Sequence, residues 1–224
     1  YARLPFADLS THKLTARIGD EAAVMLADIL PTSYEVGILS GRVRPGDTVV
    51  VVGAGPIGLA AILTARLYSP SHIIAIDTAQ SRLQAAKQFG ADIALRPDDD
   101  PLEVIRSVTD GLGADVAIEA VGLPETFEMC TTLVRPCGRV ANVGVHGRPA
   151  TLHLEDLWIR DLTITTGLVD TFSTPTLLGM LGSGRFDTDS MITHRFPLDD
   201  FAEAYEVFSH PAETGALKVV LTRS

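Results

Sequence analysis

Three glycines at G-x-G-x-x-G spacing, Gly53, Gly55 and Gly58, stand between a β-branched run (TVVVV from Thr48) and a small-residue apolar run reaching Leu63. An acid, Asp77, closes the next apolar run, HIIAID, at the distance of about twenty residues that a strand–turn–helix–strand unit requires. The chemistry of this spacing is the holding of a dinucleotide. Gly53 permits the tight turn out of the strand, Gly55 leaves room for a pyrophosphate against the backbone, and Gly58 lets the next helix pack close to the strand. Pro56 and Ile57 open that helix, whose free N–H groups and positive dipole end face the phosphates, and where the N–H missing from proline costs nothing. Asp77 is placed to accept both adenosine-ribose hydroxyls. A 2′-phosphate beside it meets like charge, so NAD is expected ahead of NADP. Arg82 complicates that preference, because it is placed to stack on adenine or to reach a phosphate.

Other chemistries find little support. The six histidines (His12, His72, His146, His153, His194 and His210) show no paired ligand spacing such as H-E-x-x-H, and no G-x-S-x-G elbow occurs. Cys130 and Cys137 lack C-x-x-C spacing, give no disulfide framework or metal cluster, and suit a reducing cytoplasm. A net charge of −10 repels phosphate backbones and anionic lipid, so neither nucleic acid nor a membrane surface is an expected partner. The longest apolar run, Val49 to Leu63, is too short for a comfortable membrane span. No secretory leader is visible, and residue 1 is a tyrosine.

The 224 residues suffice for one large domain, or for one domain with pieces of another. From Thr48 the chain alternates short β-rich runs with helical stretches. Strands are predicted at 48–52, 73–76, 93–95, 115–118, 139–143 and 162–166, and helices at 57–67, 81–89, 102–109 and 124–133. Continuous apolar strands in such alternation predict an α/β fold with a doubly wound parallel sheet in the order 3-2-1-4-5-6, its ligand lying outside the carboxyl ends. The flanks read differently. Residues 1–20 read as a short strand and loop, and 20–39 as a helix bent or broken by Pro31. Helices near 176–181 and 198–208 and a last strand at 216–221 follow the predicted sheet.

The stretches DEAAVMLADILPTSYE, VVVVGAGPIGLAA, AIDTAQSRLQAAKQFGAD, GADVAIEAVG, LVRPCGRVANVGV and ITHRFPLDDFAEAYEVF together carry a family resemblance. The chain resembles the zinc-dependent alcohol dehydrogenases of the medium-chain dehydrogenase/reductase superfamily. That resemblance implies a doubly wound parallel six-stranded Rossmann sheet with remnants of a GroES-like catalytic domain. Residues 1–40 would be the end of the N-terminal part of the catalytic domain with a linking helix, and 41–167 the dinucleotide-binding domain. Residues 168–224 would complete the Rossmann edge and return to the catalytic domain.

The activity implied is hydride transfer between an alcohol or polyol and NAD, zinc-assisted in the intact protein. The alternatives are a zinc-free quinone or enoyl reductase of the same superfamily, or a cofactor-binding fragment without turnover. By the same resemblance Asp28 is the last protein ligand of a catalytic zinc whose other ligands precede residue 1, and Thr32 lies beside it at the catalytic end. Ala120, Val121 and Gly122, with Val143, Gly144 and Val145, are expected to flank the nicotinamide and its ribose, and Thr32 and Leu168 to approach the ring. Lys218 matches a basic position near the pyrophosphate. His146 is a candidate for a substrate or proton path, while Trp158 is expected to pack, with a place in a channel or an interface as the alternative. The expected partners are a small alcohol, ketone or aldehyde and further copies of the chain, as a homodimer or homotetramer joined at the edge strand 162–166.

Overall fold

A computed structural model describes residues 3–223. Six strands form one parallel sheet: β1 (Thr48–Val52), β2 (His72–Ile76), β3 (Ile93–Leu95), β4 (Ala114–Glu119), β5 (Val134–Asn142) and β6 (Thr163–Thr166). Their order is β3-β2-β1-β4-β5-β6, as the alternation predicted. Side chains of β1 alternate between two apolar clusters. Val49 and Val51 join Leu59 and Ile62 on one face, while Val50 and Val52 join Ile105, Cys130 and Leu133 on the other. Both faces are therefore covered, which is why these strands read as unbroken apolar runs.

Helices alternate with the strands along the chain. Preceding the sheet are α1 (Ala7–Ser10), α2 (Asp20–Val24), α3 (Ile29–Thr32) and a buried π-helix, Ser33–Leu39. Between strands lie α4 (Pro56–Ala65), α5 (Gln80–Phe89), α6 (Pro101–Ser107), α7 (Pro124–Leu133) and the short α8 (Leu154–Leu157). Beyond β6 come α9 (Thr174–Gly182), β7 (Ile192–Pro197), α10 (Phe201–Ser209), α11 (Pro211–Thr214) and β8 (Lys218–Thr222).

Four expectations are corrected. The described part of residues 1–20 holds no strand; its first element is the short helix α1. The helix expected over 20–39 is three pieces, and the break falls ahead of Pro31, at Met25–Asp28. The physical reason is that proline has no N–H to donate to the carbonyl of residue i−4, here Ala27, and its ring clashes with that carbonyl, although it is tolerated in the first turn of a new helix. Third, β5 starts earlier than expected, at Val134, with a register shift against β4 between Ala114 and Val116. Fourth, the C-terminal segment does not complete the edge of the large sheet. β6 is that edge, and β7 pairs β8 in a separate two-stranded parallel sheet. No strand was expected at 192–197 because its burial alternates and its partner lies beyond a helix.

Register decides where the site lies. Val52 stands opposite Ile76 on one side and Glu119 on the other, and Glu119 opposite Asn142. Four strands thus end at one rim, and the residues that follow them (Gly53, Asp77, Ala120 and Val143) leave the sheet together.

Candidate functional site

The three glycines have three different surroundings. Gly53 has φ +96°, and a Cβ there would come within 2.5 Å of Val121 Cγ2. At Gly58 a Cβ would fall 1.8 Å from the carbonyl oxygen of Gly53, so only glycine lets α4 start this close to β1. At Gly55 a Cβ would meet nothing within 4 Å: the space beyond its backbone is open. Pro56 occupies the first turn of α4, and Ile57 follows it, its carbonyl accepting a 2.7 Å hydrogen bond from the buried Ser33 hydroxyl. The turn therefore presents bare backbone and a helix N-terminus to a cleft.

Asp77 closes that cleft from β2. Its Oδ2 accepts the Ala54 N–H at 2.7 Å, within the glycine turn, and its Oδ1 accepts the Ala79 N–H at 2.8 Å. Each oxygen keeps a further lone pair. Arg82 approaches from α5, its guanidinium 3.9 Å from Oδ2. The cleft encloses about 300 Å³ and is lined by Gly53, Gly55, Asp77, Arg82, Ala120 and Val121 among others.

Two loops continue the rim. Residues 120–122 follow β4 and 143–145 follow β5, and both meet at Glu119, which is wholly buried. The Glu119 carbonyl accepts N–H from Val143 (2.8 Å) and Gly144 (3.1 Å). Its side-chain Oε1 accepts N–H from Val121 and Gly122, each at 2.9 Å, and the Thr126 hydroxyl at 2.7 Å. Its Oε2 has no hydrogen-bond partner, with His146 Nε2 3.6 Å away. His146 Nε2 lies 2.9 Å from Asn142 Oδ1, and the Asn142 amide donates to the Gly144 carbonyl. The ring of His146 meets Phe127 edge-on. Burial, with the Glu119 charge adding to it, pushes the nearby Cys130 thiol well above its ordinary value, so that cysteine is a packing residue and not a nucleophile.

Asp28 and Thr32 are not among the residues that line this cleft; Asp28 stands at the helix break, its Oδ1 accepting the Thr32 hydroxyl at 2.8 Å. Asp28 is exposed and Thr32 half-buried. Leu168 is almost fully exposed (92%), as is Val145 (90%). The loop after Leu168 is pinned from the π-helix. Glu35, 5% exposed, accepts N–H from Asp170, Thr171 and Ser173 and the Ser173 hydroxyl, at 2.6–3.0 Å. Burial pushes its carboxyl up, but the hydrogen bonds from Ser173, Asp170 and Thr171 outweigh burial and hold it below the ordinary value. Lys218 is not brought to the cleft lining. It lies on β8 and lines a separate cavity with Tyr205 and Phe208 of α10. Trp158, expected to pack, is 74% exposed.

With this geometry in place, comparison with known proteins is decisive about family. The family model described as zinc-binding dehydrogenase matches residues 56–179, more than half of the chain. The chain belongs to the zinc-binding dehydrogenases. An alcohol dehydrogenase of Cupriavidus necator is 33% identical over 99% of this chain and 61% of its own length. A solved structure titled zinc dependent alcohol dehydrogenase 2 from Streptococcus pneumonia, in its apo form, superposes at a TM-score of 0.94 with 45% identity, covering all of this chain and 64% of that one. A third, an alcohol dehydrogenase (rspB) from Escherichia coli CFT073 complexed with NADH, gives 0.85 with 27% identity, covering 94% of this chain and 62% of that one. The chain thus spans a little under two thirds of the length of the relatives it matches.

For this zinc-binding dehydrogenase the sequence located the glycine turn and Asp77 but passed over Glu119, Thr126, Asn142 and Glu35. One signal was available: Glu119 is a lone acid ending an apolar strand, ADVAIE, as Asp77 follows HIIAI. No described helix is long and apolar enough to cross a membrane.

Proposed function

We propose that the protein binds NAD in the cleft and serves hydride transfer between the nicotinamide and a small alcohol or polyol and its ketone or aldehyde. The observation that carries this reading is the pairing of open backbone at Gly55 with the nearly buried Asp77 across one rim. These residues fit the cofactor. Gly53, Gly55, Pro56, Ile57 and Gly58 would hold the pyrophosphate against the α4 N-terminus, and Asp77 would take the adenosine ribose. Ala120, Val121, Gly122, Val143, Gly144 and Val145, with Thr32 and Leu168, would bound the nicotinamide, which when bound supplies the hydride acceptor and donor. The carboxylate of Asp77 disfavours a 2′-phosphate, and the nearby Arg82 is partly neutralised by it, so NADP is the weaker ligand. Lys218 would add a basic partner for the pyrophosphate in this reading, but here it lines a separate cavity with Tyr205 and Phe208. The substrate class is supported by the relatives' names, among them an erythritol/L-threitol dehydrogenase of Mycolicibacterium smegmatis.

Zinc is a separate matter. A zinc site takes three or four protein ligands, and among the described residues no cluster of three His, Cys, Asp or Glu exists. Asp28 alone does not hold the metal. We propose it as one ligand within a longer polypeptide, with residues 1–40 and 168–224 belonging to a GroES-like domain and 41–167 to the cofactor domain. For the chain as it stands, the isolation of Asp28 favours cofactor binding without turnover. The edge position of β6 supports a homodimer or homotetramer, and the two free cysteines suit the cytoplasm.

Calorimetric titration with NADH and NADPH tests the reading. NADH should bind at least about tenfold tighter, as one close like-charge repulsion is worth roughly 1.4 kcal/mol or more. Equal affinity, or tighter NADPH, would refute the role of Asp77, and no uptake of either would refute the cofactor site.

A further inference from the structure

Glu119 is a buried acid that does not line the cofactor cleft, and its surroundings are unusually specific. Its backbone carbonyl and its side chain each bind one of the two rim loops: the carbonyl takes two N–H groups of 143–144, and Oε1 takes two N–H groups of 121–122. Thr126 adds a third donor to Oε1 from the first turn of α7. The two loops also touch beneath it, since a Cβ on Gly144 would lie 2.3 Å from Glu119 Oε2 and 2.3 Å from the Gly122 nitrogen. The 143–144 loop thus hangs on the backbone carbonyl of Glu119 and the 121–122 loop on its side chain, and the two loops are too close to admit a methyl group at Gly144. A buried carboxylate costs free energy unless its oxygens are satisfied, and Oε2 here has no hydrogen-bond partner. An apolar residue of similar size would spare that cost, so packing alone does not account for an acid at this position.

We propose that Glu119 is a positioning residue that sets the gap in which the nicotinamide ring is held, by clamping the loop after β4 to the loop after β5. The inference rests on the NAD reading above. It adds that the two ends of the cofactor are gripped by different acids: Asp77 organises the glycine turn for the adenosine half, and Glu119 organises the strand-end loops for the nicotinamide half. No atom of Glu119 makes a hydrogen bond to the glycine turn. The 120–122 loop does abut the glycine turn, a Cβ on Gly53 lying 2.5 Å from Val121 Cγ2, so the loss of Glu119 should be felt at both ends of the ligand but more at the nicotinamide end.

The test compares NADH with ADP-ribose, which lacks the nicotinamide, on the full chain. In E119A the affinity for NADH should fall about tenfold or more, as expected when a binding loop is displaced by an ångström, while ADP-ribose affinity falls by a clearly smaller factor. E119Q keeps the Oε1 acceptor and the side-chain volume and should restore NADH binding, together with the fluorescence enhancement of the bound nicotinamide. A uniform loss for both ligands, or no loss for NADH, overturns the proposal. If E119A does not fold, T126V decides: it removes one of the three donors at isosteric cost, and unchanged NADH affinity in it overturns the clamp. Wild-type protein that binds ADP-ribose but gains nothing from the nicotinamide also sinks the clamp while leaving the adenosine site standing. Wild-type protein that binds neither ligand sinks the cofactor reading itself.

Discussion

Alanine substitutions at Gly55 and Gly58 test the two halves of the glycine-turn argument against each other. At Gly58 the new methyl would lie 1.8 Å from the Gly53 carbonyl oxygen, where carbon–oxygen contact requires about 3 Å, so α4 must retreat by more than 1 Å. Forcing an extra carbon into a packed site costs typically 1–3 kcal/mol, and the gain in helix propensity from glycine to alanine returns about 1 kcal/mol. Because the clash is with backbone atoms, which cannot rotate aside, the upper part of that range applies, about 2–3 kcal/mol. The net expectation for G58A is then about 1–2 kcal/mol of lost stability, or roughly 2–8 °C in Tm for a chain of this size. At Gly55 the methyl meets nothing, and φ is −72°, open to any residue. The weaker helix cap costs a few tenths to about 1 kcal/mol, and the stiffer unfolded chain returns about 0.4–1 kcal/mol, so G55A should melt within about 1 kcal/mol of wild type. Binding reverses the contrast. The G55A methyl points into the space assigned to the pyrophosphate and should weaken NADH by about 100-fold in a protein of normal Tm. Differential scanning calorimetry and NADH titration on both variants read the four outcomes. G55A binding NADH as wild type does would refute the placement of the pyrophosphate. G58A with unchanged Tm would refute the packing account of the third glycine.

Three further outcomes follow from buried charges and the sheet edge. E35A leaves four donors of the 170–173 loop without an acceptor and should cost about 2–3 kcal/mol at neutral pH by urea denaturation. Because the folded carboxyl is held below its ordinary value, the Glu35 contribution is complete above pH 4.5 and is lost as pH falls through the folded pKa, so E35A should show a flatter acid limb than wild type. R139A removes the guanidinium that donates to Asp47 at 2.7 Å and to the Arg42 carbonyl at 2.9 Å, which leaves a nearly buried acid without its counter-charge and with the Arg44 N–H as its remaining donor; a loss of about 3 kcal/mol is expected, and a change under about 1 kcal/mol would contradict it. Sedimentation equilibrium should give a multiple of the chain mass if β6 pairs with its copy, and a monomer mass at micromolar concentration would exclude that edge as an interface.

What the sequence determined by itself was local or periodic. The G-x-G-x-x-G turn is legible because backbone sterics dictate glycine at Gly53 and Gly58 wherever a strand turns tightly into a helix, whatever the rest of the fold does. The strand order followed from unbroken apolar strands alternating with helices, since a sheet covered on both faces has few ways to be wound. Only the tertiary structure decided the rest. The clamp at Glu119 joins β4, α7 and the loop after β5, and it exists because parallel register sets Glu119 opposite Asn142. The grip of Glu35 spans more than 130 residues of chain. Pro31 announced a break, but the position of that break, at Met25–Asp28, depended on how a proline fits a new first turn. The β7–β8 pair escaped notice because an exposed, alternating strand shows itself only through a partner across a helix. Spacing along a chain records what neighbours in sequence must do; hydrogen bonds between distant strand ends leave no spacing to read.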